Sequence, residues 1–275
     1  MATWSEWKDL TASLGFEEVR YEKAYRKEGG GVARVSFNRP HRLNAFTGKG
    51  LGEFVRGVND ADRDRDVGVI IVSSVGDHFG TGGDVEWEAS GGLTSHIPDF
   101  NGALTRSYKP TIAAIKGYCV GGSNHIAYHC DLTIAAHTAV FGQNGPRVGS
   151  GAADRVVSQS AEIIGLKRAR EMWTMCRQHT AQQALEWGLI NRVVPLHRLE
   201  DETLAWSDDL LDLVPMGVSL IKQSFVQIGA YLEQFRVLPH MGRGFFGSAD
   251  QREAQQAFFE KRKPRFWPVH EEAFD

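Results

Sequence analysis

The segment KPTIAAIKGYCVGGSNHIAYHCDLTIAA, residues 109–136, decides the fold because it carries strand, turn, helix and strand signals in one run. Its first part, KPTIAAIKGYCV (109–120), predicts a strand. The pair Gly121-Gly122 permits a sharp turn. HIAYHCD (125–131) then predicts a short helix before two short strands in LTIAAHTAVFG (132–142). This order indicates right-handed βαβ units, and therefore an α/β protein.

The same alternation continues on the N-terminal side of this segment. GVARVSFNRP (31–40) alternates like a strand that ends at its proline, and VGVIIVSSV (67–75) is a continuous β-branched run. Helical spacing is present between them, and the pattern becomes mostly helical from about residue 155. We therefore expect an α/β core over residues 1–205, followed by a helical C-terminal region over residues 206–275.

Composition and charge bound the function. The chain has 275 residues, a charged fraction of 24% and a net charge of −3, so no strong field favours nucleic acid or an anionic membrane as a partner. The three cysteines lack metal-ligand spacing and suggest a reducing compartment. The N-terminus lacks the pattern of a signal peptide, and no apolar stretch reaches the ~18 residues of a membrane helix. These features predict a soluble, cytoplasmic protein.

A second glycine pair, Gly82-Gly83 in FGTGGDVEWE (79–88), also follows a strand and precedes a predicted helix. Amides at such a position are unpaired and carry partial positive charge. Two amides that converge on one point would form an oxyanion hole. The alternative is that both glycine pairs are ordinary strand-to-helix turns, and their spacing alone does not decide between the two.

Several blocks of the sequence resemble the crotonase (enoyl-CoA hydratase/isomerase) superfamily, and they occur in that family's order from about residue 17 to about residue 265. The blocks are FNRPHRLNAF, GTGGD, the segment 109–136, FGQNGPRVGS and ALEWGLINRVVP. Within the superfamily, the C-terminal half resembles 1,4-dihydroxy-2-naphthoyl-CoA synthase most closely, with 2-ketocyclohexanecarboxyl-CoA hydrolase a near second. The resemblance implies a ββα spiral core and an acyl-CoA substrate without metal or redox cofactor. It also implies that the amides of Gly83 and Gly122 hold the thioester oxygen as an enolate forms.

The acid and base of the family differ between members. Hydratases use two glutamates, and their positions match His125 and Gly145 here, so hydration by a glutamate pair is not expected. His125 is a candidate base because the reference pKa of histidine is ~6.5; the alternative is a packed histidine. Some naphthoyl-CoA synthases carry glycine at the position of Gly145 and bind bicarbonate with a glutamine and a tryptophan. Gln143 and Trp173 match those residues, which makes bicarbonate a candidate cofactor.

Other positions depart from the synthases. Ala152 stands where they carry a catalytic aspartate, and Asp154, two residues later, is a candidate substitute. Phe246 stands where they carry a tyrosine that is lent to the neighbouring subunit. Ser150 matches a serine that hydrogen-bonds substrate. These differences favour a different, more apolar acyl group.

The resemblance also assigns residues to CoA. Arg42, Leu43 and Ala45 match the segment that wraps the adenine and phosphates, and Lys261 in the basic run 260–265 is a candidate for the phosphates. Glu86 and Glu88 follow the first glycine pair and are interpreted as the solvated start of a helix. His129 and His137 have no partners at metal-ligand spacing, so we expect no metal.

Three functions remain open at this point. The first is an acyl-CoA enzyme that forms or cleaves a carbon–carbon bond through an enolate, as a Dieckmann-type cyclase or a β-oxoacyl-CoA ring hydrolase. The second is an enoyl-CoA hydratase or isomerase with a relocated acid or base, and the third is a non-catalytic acyl-CoA-binding protein. The apolar segment LIKQSFVQIGAYLEQF (220–235) and the resemblance together predict a homotrimer or hexamer, with residues 231–265 close to a neighbour's site.

Overall fold

A mixed seven-stranded sheet forms the centre of the molecule, whose computed structural model describes residues 3–92, 97–152, 154–233 and 247–264. Its strands lie in the order β1-β2-β3-β4-β5-β7-β10. The first three pair antiparallel, and each later neighbour pairs parallel. These strands are β1 (Lys8–Asp9), β2 (Val19–Tyr25), β3 (Gly31–Phe37), β4 (Val67–Ser74), β5 (Thr111–Ile115), β7 (Leu132–Ala136) and β10 (Arg192–Val194). The α/β prediction is confirmed.

A second, three-stranded sheet lies beside the first and has the order β6-β8-β9. Strand β6 (Tyr118–Val120) pairs parallel with β8 (Val140–Gly142), and β8 pairs antiparallel with β9 (Gln178–Thr180). The apolar run 109–120, which reads as one strand in the sequence, is therefore split between the two sheets. The split occurs at Gly117, whose positive φ of 53° turns the chain.

Helices cover both faces of the main sheet. The helices are α1 (Gly48–Arg63), α2 (Val85–Ala89), α3 (Phe100–Arg106), α4 (Gly122–His129), α5 (Gly145–Val148), α6 (Arg155–Ile164), α7 (Leu166–Met175), α8 (Ala181–Glu186), α9 (Leu199–Leu211), α10 (Pro215–Glu233) and α11 (Ala249–Phe259).

The parallel strands are buried on both faces, as their continuous apolar sequences predict. On one face Phe37, Phe54 and Phe79 pack in a cluster, with Phe37 stacked on Phe54 at a centroid distance of 5.1 Å. On the other face Ile71 and Ile134 pack with residues of α9. Because α9 packs on this sheet face, the boundary expected after residue 205 falls inside a helix of the core.

The C-terminal region is helical, in line with the sequence. Helix α11 returns to the core, where the Gln251 side-chain amide donates to the carbonyl of Gly149 at 3.2 Å. The segment that contains Phe246 lies outside the described residues, as does the end of the basic run from residue 265 onward. Within the described ranges, none of the helices combines the length and the apolar character that crossing a membrane requires.

Candidate active site

A cleft of about 740 Å³ opens where the ends of β4 and β6 meet α5 and α11. Apolar and glycine residues form most of its wall, while a few polar side chains reach into it. This composition is typical of small-molecule sites. The residues that line the cleft include Arg42, Leu43, Ala45, Phe46, Gly82, Gly83, Asp84, Glu86, Glu88, Tyr118, Gly122, His125, Gln143, Gly145, Ser150, Ala152, Val156, Trp173, Phe258 and Phe259.

The first glycine turn is fixed on both sides by hydrogen bonds. The amide of Gly82 donates to Ser123 Oγ at 3.0 Å, and its carbonyl accepts from the amide of Phe46 at 2.9 Å. The amide of Asp84 donates to the carbonyl of Phe46 at 2.8 Å. Between them, the N–H of Gly83 donates to no other residue that the structure describes.

The second glycine turn begins helix α4. Gly121 has φ 59° and ψ −133°, a conformation that is strained for residues other than glycine. Its amide donates to the carbonyl of Gly142 at 3.0 Å. The N–H of Gly122, the first residue of the helix, has no intrahelical acceptor and donates to none of the described residues.

The two turns are in direct contact. A Cβ on Gly82 would lie 3.0 Å from the amide nitrogen of Gly122 and 3.3 Å from the carbonyl oxygen of Val120. Gly80 is paired with Cys119, so the loop after β4 runs alongside β6. The free N–H groups of Gly83 and Gly122 therefore lie on neighbouring turns at the wall of one cleft.

Asp84 anchors the first turn to the rest of the protein. Its carboxylate caps α2 by accepting from the amides of Glu86 and Trp87, and it pairs with Arg39 at 3.0 Å. Burial alone would raise the pKa of Asp84, but the Trp87 amide and the Arg39 guanidinium hold that pKa below its ordinary value. Asp84 therefore acts as a fixed anion that orients the loop.

Glu88 enters the cleft, contrary to the expectation that it forms a solvated helix start. Its Oε1 lies 1.9 Å from the point where Gly83 would carry a Cβ, so the carboxyl group lies directly against Gly83. Burial raises the pKa of Glu88; the hydroxyl of Ser150 opposes the shift, and the negative charge of Asp84 adds to it. Glu86 is exposed, and its carboxylate pairs with Arg42 at 2.7 Å.

His125 and Gln143 form a buried pair under the cleft. His125 Nε2 lies 3.1 Å from Gln143 Oε1, and the imidazole stacks on Trp173 with a centroid distance of 5.3 Å. Burial lowers the pKa of His125 to about 3, so its ring is neutral at pH 7. A neutral ring with this pKa is a weak base. Since an amide oxygen only accepts, His125 Nε2 carries the proton and donates to Gln143.

The residues matched to a bicarbonate site give one free side-chain donor. The side-chain nitrogen of Gln143 is buried and has no hydrogen-bond partner among the described residues. The indole N–H of Trp173, however, donates to Ser160 Oγ at 2.8 Å. A Cβ at Gly145 would lie 2.6 Å from the carbonyl oxygen of Ser150, so this site holds no room for a longer side chain. A buried anion needs several donors, and the side chains of this set supply one, so they do not by themselves form a bicarbonate site.

The remaining candidates separate into those inside and those outside the cleft. Ser150 and Ala152 line it. Asp154 immediately precedes α6 with φ 57°, is exposed and is not among the lining residues, so it does not join the other candidates. Arg42, Leu43 and Ala45 lie together at the cleft wall, whereas Lys261 is exposed beyond α11 and does not line the cleft. Phe258 and Phe259 of α11 close the cleft on that side.

Within the described ranges, no group of three or more His, Cys, Asp or Glu side chains could hold a metal ion. The three cysteines are buried and unpaired.

Comparisons with known proteins agree with this architecture. Residues 27–268 match the family model described as enoyl-CoA hydratase/isomerase. A methylmalonyl-CoA decarboxylase, solved in complex with 2-nitronate-propionyl-CoA, is 26% identical with a TM-score of 0.82; the match covers 93% of this chain and 100% of that one.

Two further solved structures are similar at comparable levels. Carnitinyl-CoA hydratase from Mycobacterium avium is 29% identical with a TM-score of 0.77, and the match covers 86% of this chain and 94% of that one. An enoyl-CoA hydratase/isomerase from Xanthobacter autotrophicus Py2 is 28% identical with a TM-score of 0.75, and the match covers 92% of this chain and 99% of that one.

Proposed function

Since this chain belongs to the enoyl-CoA hydratase/isomerase family and is an acyl-CoA-processing enzyme of the crotonase type, we propose that it forms or cleaves a carbon–carbon bond. The reaction proceeds through a thioester enolate whose oxygen accepts hydrogen bonds from the amides of Gly83 and Gly122. The observation that carries the proposal is the contact between the two glycine turns, which leaves both N–H groups free at one cleft.

Enolate formation is the step that these amides would accelerate. When the bond to the α-carbon breaks, its electron pair moves into the thioester carbonyl and places negative charge on the oxygen. Fixed donors in a cleft with apolar walls stabilise that charge without reorganisation, and removing one such donor elsewhere costs roughly 3 kcal/mol. The same two amides would stabilise the enolate oxygen when the reaction runs in reverse and the enolate forms a carbon–carbon bond.

Hydration is a weaker candidate because adding water needs one group to activate the water and a second to protonate carbon. At the positions of the hydratase glutamates this chain has Gly145, without a side chain, and His125, a neutral ring already donating to Gln143. The similarity to methylmalonyl-CoA decarboxylase, which by its name cleaves a carbon–carbon bond, supports the preferred class. Naphthoyl-CoA synthesis and ring hydrolysis remain members of that class.

Double-bond isomerisation is the second candidate. It needs one group that moves a proton between two carbons, and the carboxyl group of Glu88 lies beside Gly83. Neither candidate requires bicarbonate, and the Trp173 indole N–H that the matched site would use donates to Ser160.

Assembly as a homotrimer, or as a hexamer of two trimers, is part of the proposal. The inner side of α10 is held to its own chain by polar contacts: Ser219 Oγ donates to the Tyr108 carbonyl at 2.6 Å, and Lys222 pairs with Asp131 at 2.8 Å. The outward side carries Met216, Leu220, Ile221 and Phe225, which are each more than 60% exposed. An apolar face of this kind marks an interaction site, and a second copy of the chain is the proposed occupant.

The test is turnover of a panel of CoA thioesters with mass-spectrometric detection. The panel contains cyclic β-oxoacyl-CoA, malonyl-type CoA and enoyl-CoA thioesters, and a parallel assay follows exchange of the α-proton in D₂O. We expect cleavage of the first or second class together with α-proton exchange. Reaction of the enoyl thioesters alone would establish the second candidate instead, and binding without exchange would identify a non-catalytic acyl-CoA-binding protein.

Gly122→Pro tests the oxyanion hole, because proline fits the first position of a helix but lacks the N–H. A Cβ at this position would meet the Phe46 ring at 2.4 Å. Gly122→Ala is the matched control, since it brings the same Cβ and keeps the donor. We expect Gly122→Pro to lose on the order of 10²-fold more turnover than Gly122→Ala; equal losses would argue against the hole.

A further inference from the structure

We propose that Glu88 is the catalytic acid and base of this cleft, carrying the proton to and from the α-carbon of the bound thioester; the inference rests on the proposed enolate chemistry. The two family positions that hold glutamates are His125 and Gly145, and Asp154 lies outside the cleft. Glu88 is on a different element, helix α2, which begins immediately after the first glycine turn.

The position of the carboxyl group carries the proposal. Glu88 Oε1 lies 1.9 Å from the point where a residue other than glycine at position 83 would carry its Cβ, and the carboxyl carbon lies 2.9 Å from that point. The carboxyl group therefore occupies the space that the missing side chain leaves, next to one proposed oxyanion donor. A thioester whose oxygen is bound by the Gly83 amide would place its α-carbon beside the same residue.

The charges around Glu88 favour a group that exchanges its proton. None of the described arginines and lysines forms an ion pair with it. Arg39 is paired with Asp84, and Arg42 with Asp84 and Glu86. Burial and the nearby Asp84 raise the pKa of Glu88 against the opposing effect of Ser150, and a pKa moved toward neutrality suits proton transfer.

Helix α2 does not need this carboxyl group. Asp84 caps the helix through the amides of Glu86 and Trp87, and Ser90 Oγ donates to the carbonyl of Trp87 at 2.8 Å at the other end. Among the described residues, the hydroxyl that acts on the Glu88 carboxyl group is that of Ser150, itself a residue of the cleft wall.

The proposed proton transfer balances with water as the second reactant. In the exchange direction the C–H bond of the α-carbon breaks, an O–H bond forms on Glu88, and the electron pair enters the thioester carbonyl. After carbon–carbon cleavage the reverse occurs: the Glu88 O–H bond breaks and its proton goes to the α-carbon of the enolate. The carboxylate regains a proton from water; the hydroxide left from that water adds to the ring carbonyl carbon in ring cleavage, or converts the released carbon dioxide to bicarbonate in cleavage of a malonyl-type thioester.

The experiment compares Glu88→Gln and Glu88→Ala with the wild type in the D₂O exchange assay and in turnover of the best panel substrate. The matched control is Glu17→Gln, because Glu17 is an exposed carboxylate that pairs with Lys49 outside the cleft. We expect both Glu88 variants to lose 10²-fold or more in kcat and in exchange rate, with KM changed by less than about threefold. Added formate should restore part of the exchange in Glu88→Ala, which a purely structural role would not allow.

The outcomes separate the two proposals. If Glu88→Gln exchanges within about twofold of wild type while Gly122→Pro does not, Glu88 is not the acid and base but the enolate function stands. If the wild type exchanges the α-proton of none of the panel substrates, both proposals are wrong.

The pH profile of the wild type gives a test that needs no variant. The remaining charged or titratable groups at the described cleft wall are Arg42, Asp84, Glu86, Tyr118 and His125. The pKa of Asp84 is lowered and that of His125 is about 3, so neither ionises near neutrality. We expect exchange to rise with pH as Glu88 loses its proton, in a range above the ~4.3 of an ordinary glutamate. A profile that is flat from pH 4 to pH 8 would overturn the proposal.

Discussion

The amide nitrogen of Gly122 lies 3.0 Å from the point where an alanine at position 82 would carry its Cβ. Gly82 also has a φ of 89°, which side chains rarely tolerate. Each condition alone excludes a side chain at position 82, and the two turns approach each other only when it has none. The proposed oxyanion hole thus depends on a glycine whose own amide is not one of its donors.

Gly82→Ala should therefore lose most activity. The atoms that a new methyl group meets are the backbone nitrogen of Gly122 and the carbonyl of Val120, and backbone atoms cannot move aside as side chains do. We expect a loss of turnover of 10-fold or more together with lower stability, measured by steady-state kinetics and thermal unfolding. Gly52→Ala is the control, since nothing lies within 4 Å of its Cβ position in helix α1 and alanine favours helices by about 1 kcal/mol. Equal activity in the two variants would contradict the close approach.

The buried neutral state of His125 predicts a pH dependence of stability. Its folded-state pKa of about 3 lies below the ordinary value of 6.5, so protonating the imidazole in the folded protein costs free energy that the unfolded chain does not lose. The contribution of the neutral His125 ring to the free energy of unfolding is complete above pH 6.5 and is lost as the pH falls toward 3. At 1.36 kcal/mol per pKa unit, the loss between pH 8 and pH 5 from this residue is about 2 kcal/mol.

His125→Gln should reduce the difference in unfolding free energy between pH 8 and pH 5 by about 2 kcal/mol, as measured by urea denaturation at the two pH values. His129, whose pKa is lowered to about 4 chiefly by burial, contributes in the same direction and is unchanged in the variant. The comparison of slopes removes any constant cost of the substitution. An unchanged slope would mean that His125 is not buried and neutral.

The sequence predicted the parts of the site that depend on local backbone form. Two glycine pairs after strands gave the turns, and apolar runs gave strands buried on both faces. It did not predict Glu88, because the letters VEWEA resemble an exposed helical turn with an acid at every second position. Only the missing Cβ of Gly83, on a turn five residues earlier, leaves the space into which Glu88 folds. Asp154 was a candidate by sequence proximity alone, and helix α6 begins with its side chain outside the cleft.

Bicarbonate should not stimulate the reaction. The Trp173 indole N–H is used by Ser160, which leaves the Gln143 amide as the one free side-chain donor of the matched set. In degassed buffer, turnover of an accepted substrate should therefore stay within about twofold of its bicarbonate-free value as bicarbonate is added. A saturable rise that is abolished in Gln143→Ala would show that the anion binds after all.

The two basic residues assigned to CoA should behave differently. Arg42 lines the cleft, while Lys261 is exposed and lies beyond its described wall. Arg42→Met should raise KM for a CoA thioester by about 10-fold, which corresponds to ~1.4 kcal/mol, with a smaller change in kcat. Lys261→Met should change KM by less than threefold if CoA binds in the cleft of the same protomer, which Lys261 does not line. The larger effect at Lys261 would indicate that its side chain reaches a CoA bound elsewhere in the assembly.

The apolar side of α10 makes assembly directly testable. Leu220 and Phe225 are 64% and 65% exposed, whereas Lys222 between them is 6% exposed and is bonded to the protein's own core. Charged residues at the two exposed positions should therefore leave the helix docked but prevent burial against a second copy. Multi-angle light scattering at micromolar concentration should give a trimer or a hexamer for the wild type and a smaller species for Leu220→Glu/Phe225→Glu.

Leu166→Glu serves as the control for that experiment, because Leu166 is a similarly exposed leucine, at the start of α7. If the outward side of α10 is the interface, the control keeps the mass of the wild type and the double variant does not. Circular dichroism should show the same helix content in all three proteins, since the polar contacts of Ser219 and Lys222 are untouched. A monomeric wild type would rule out the assembly, and a double variant that keeps the wild-type mass would place the interface on another surface.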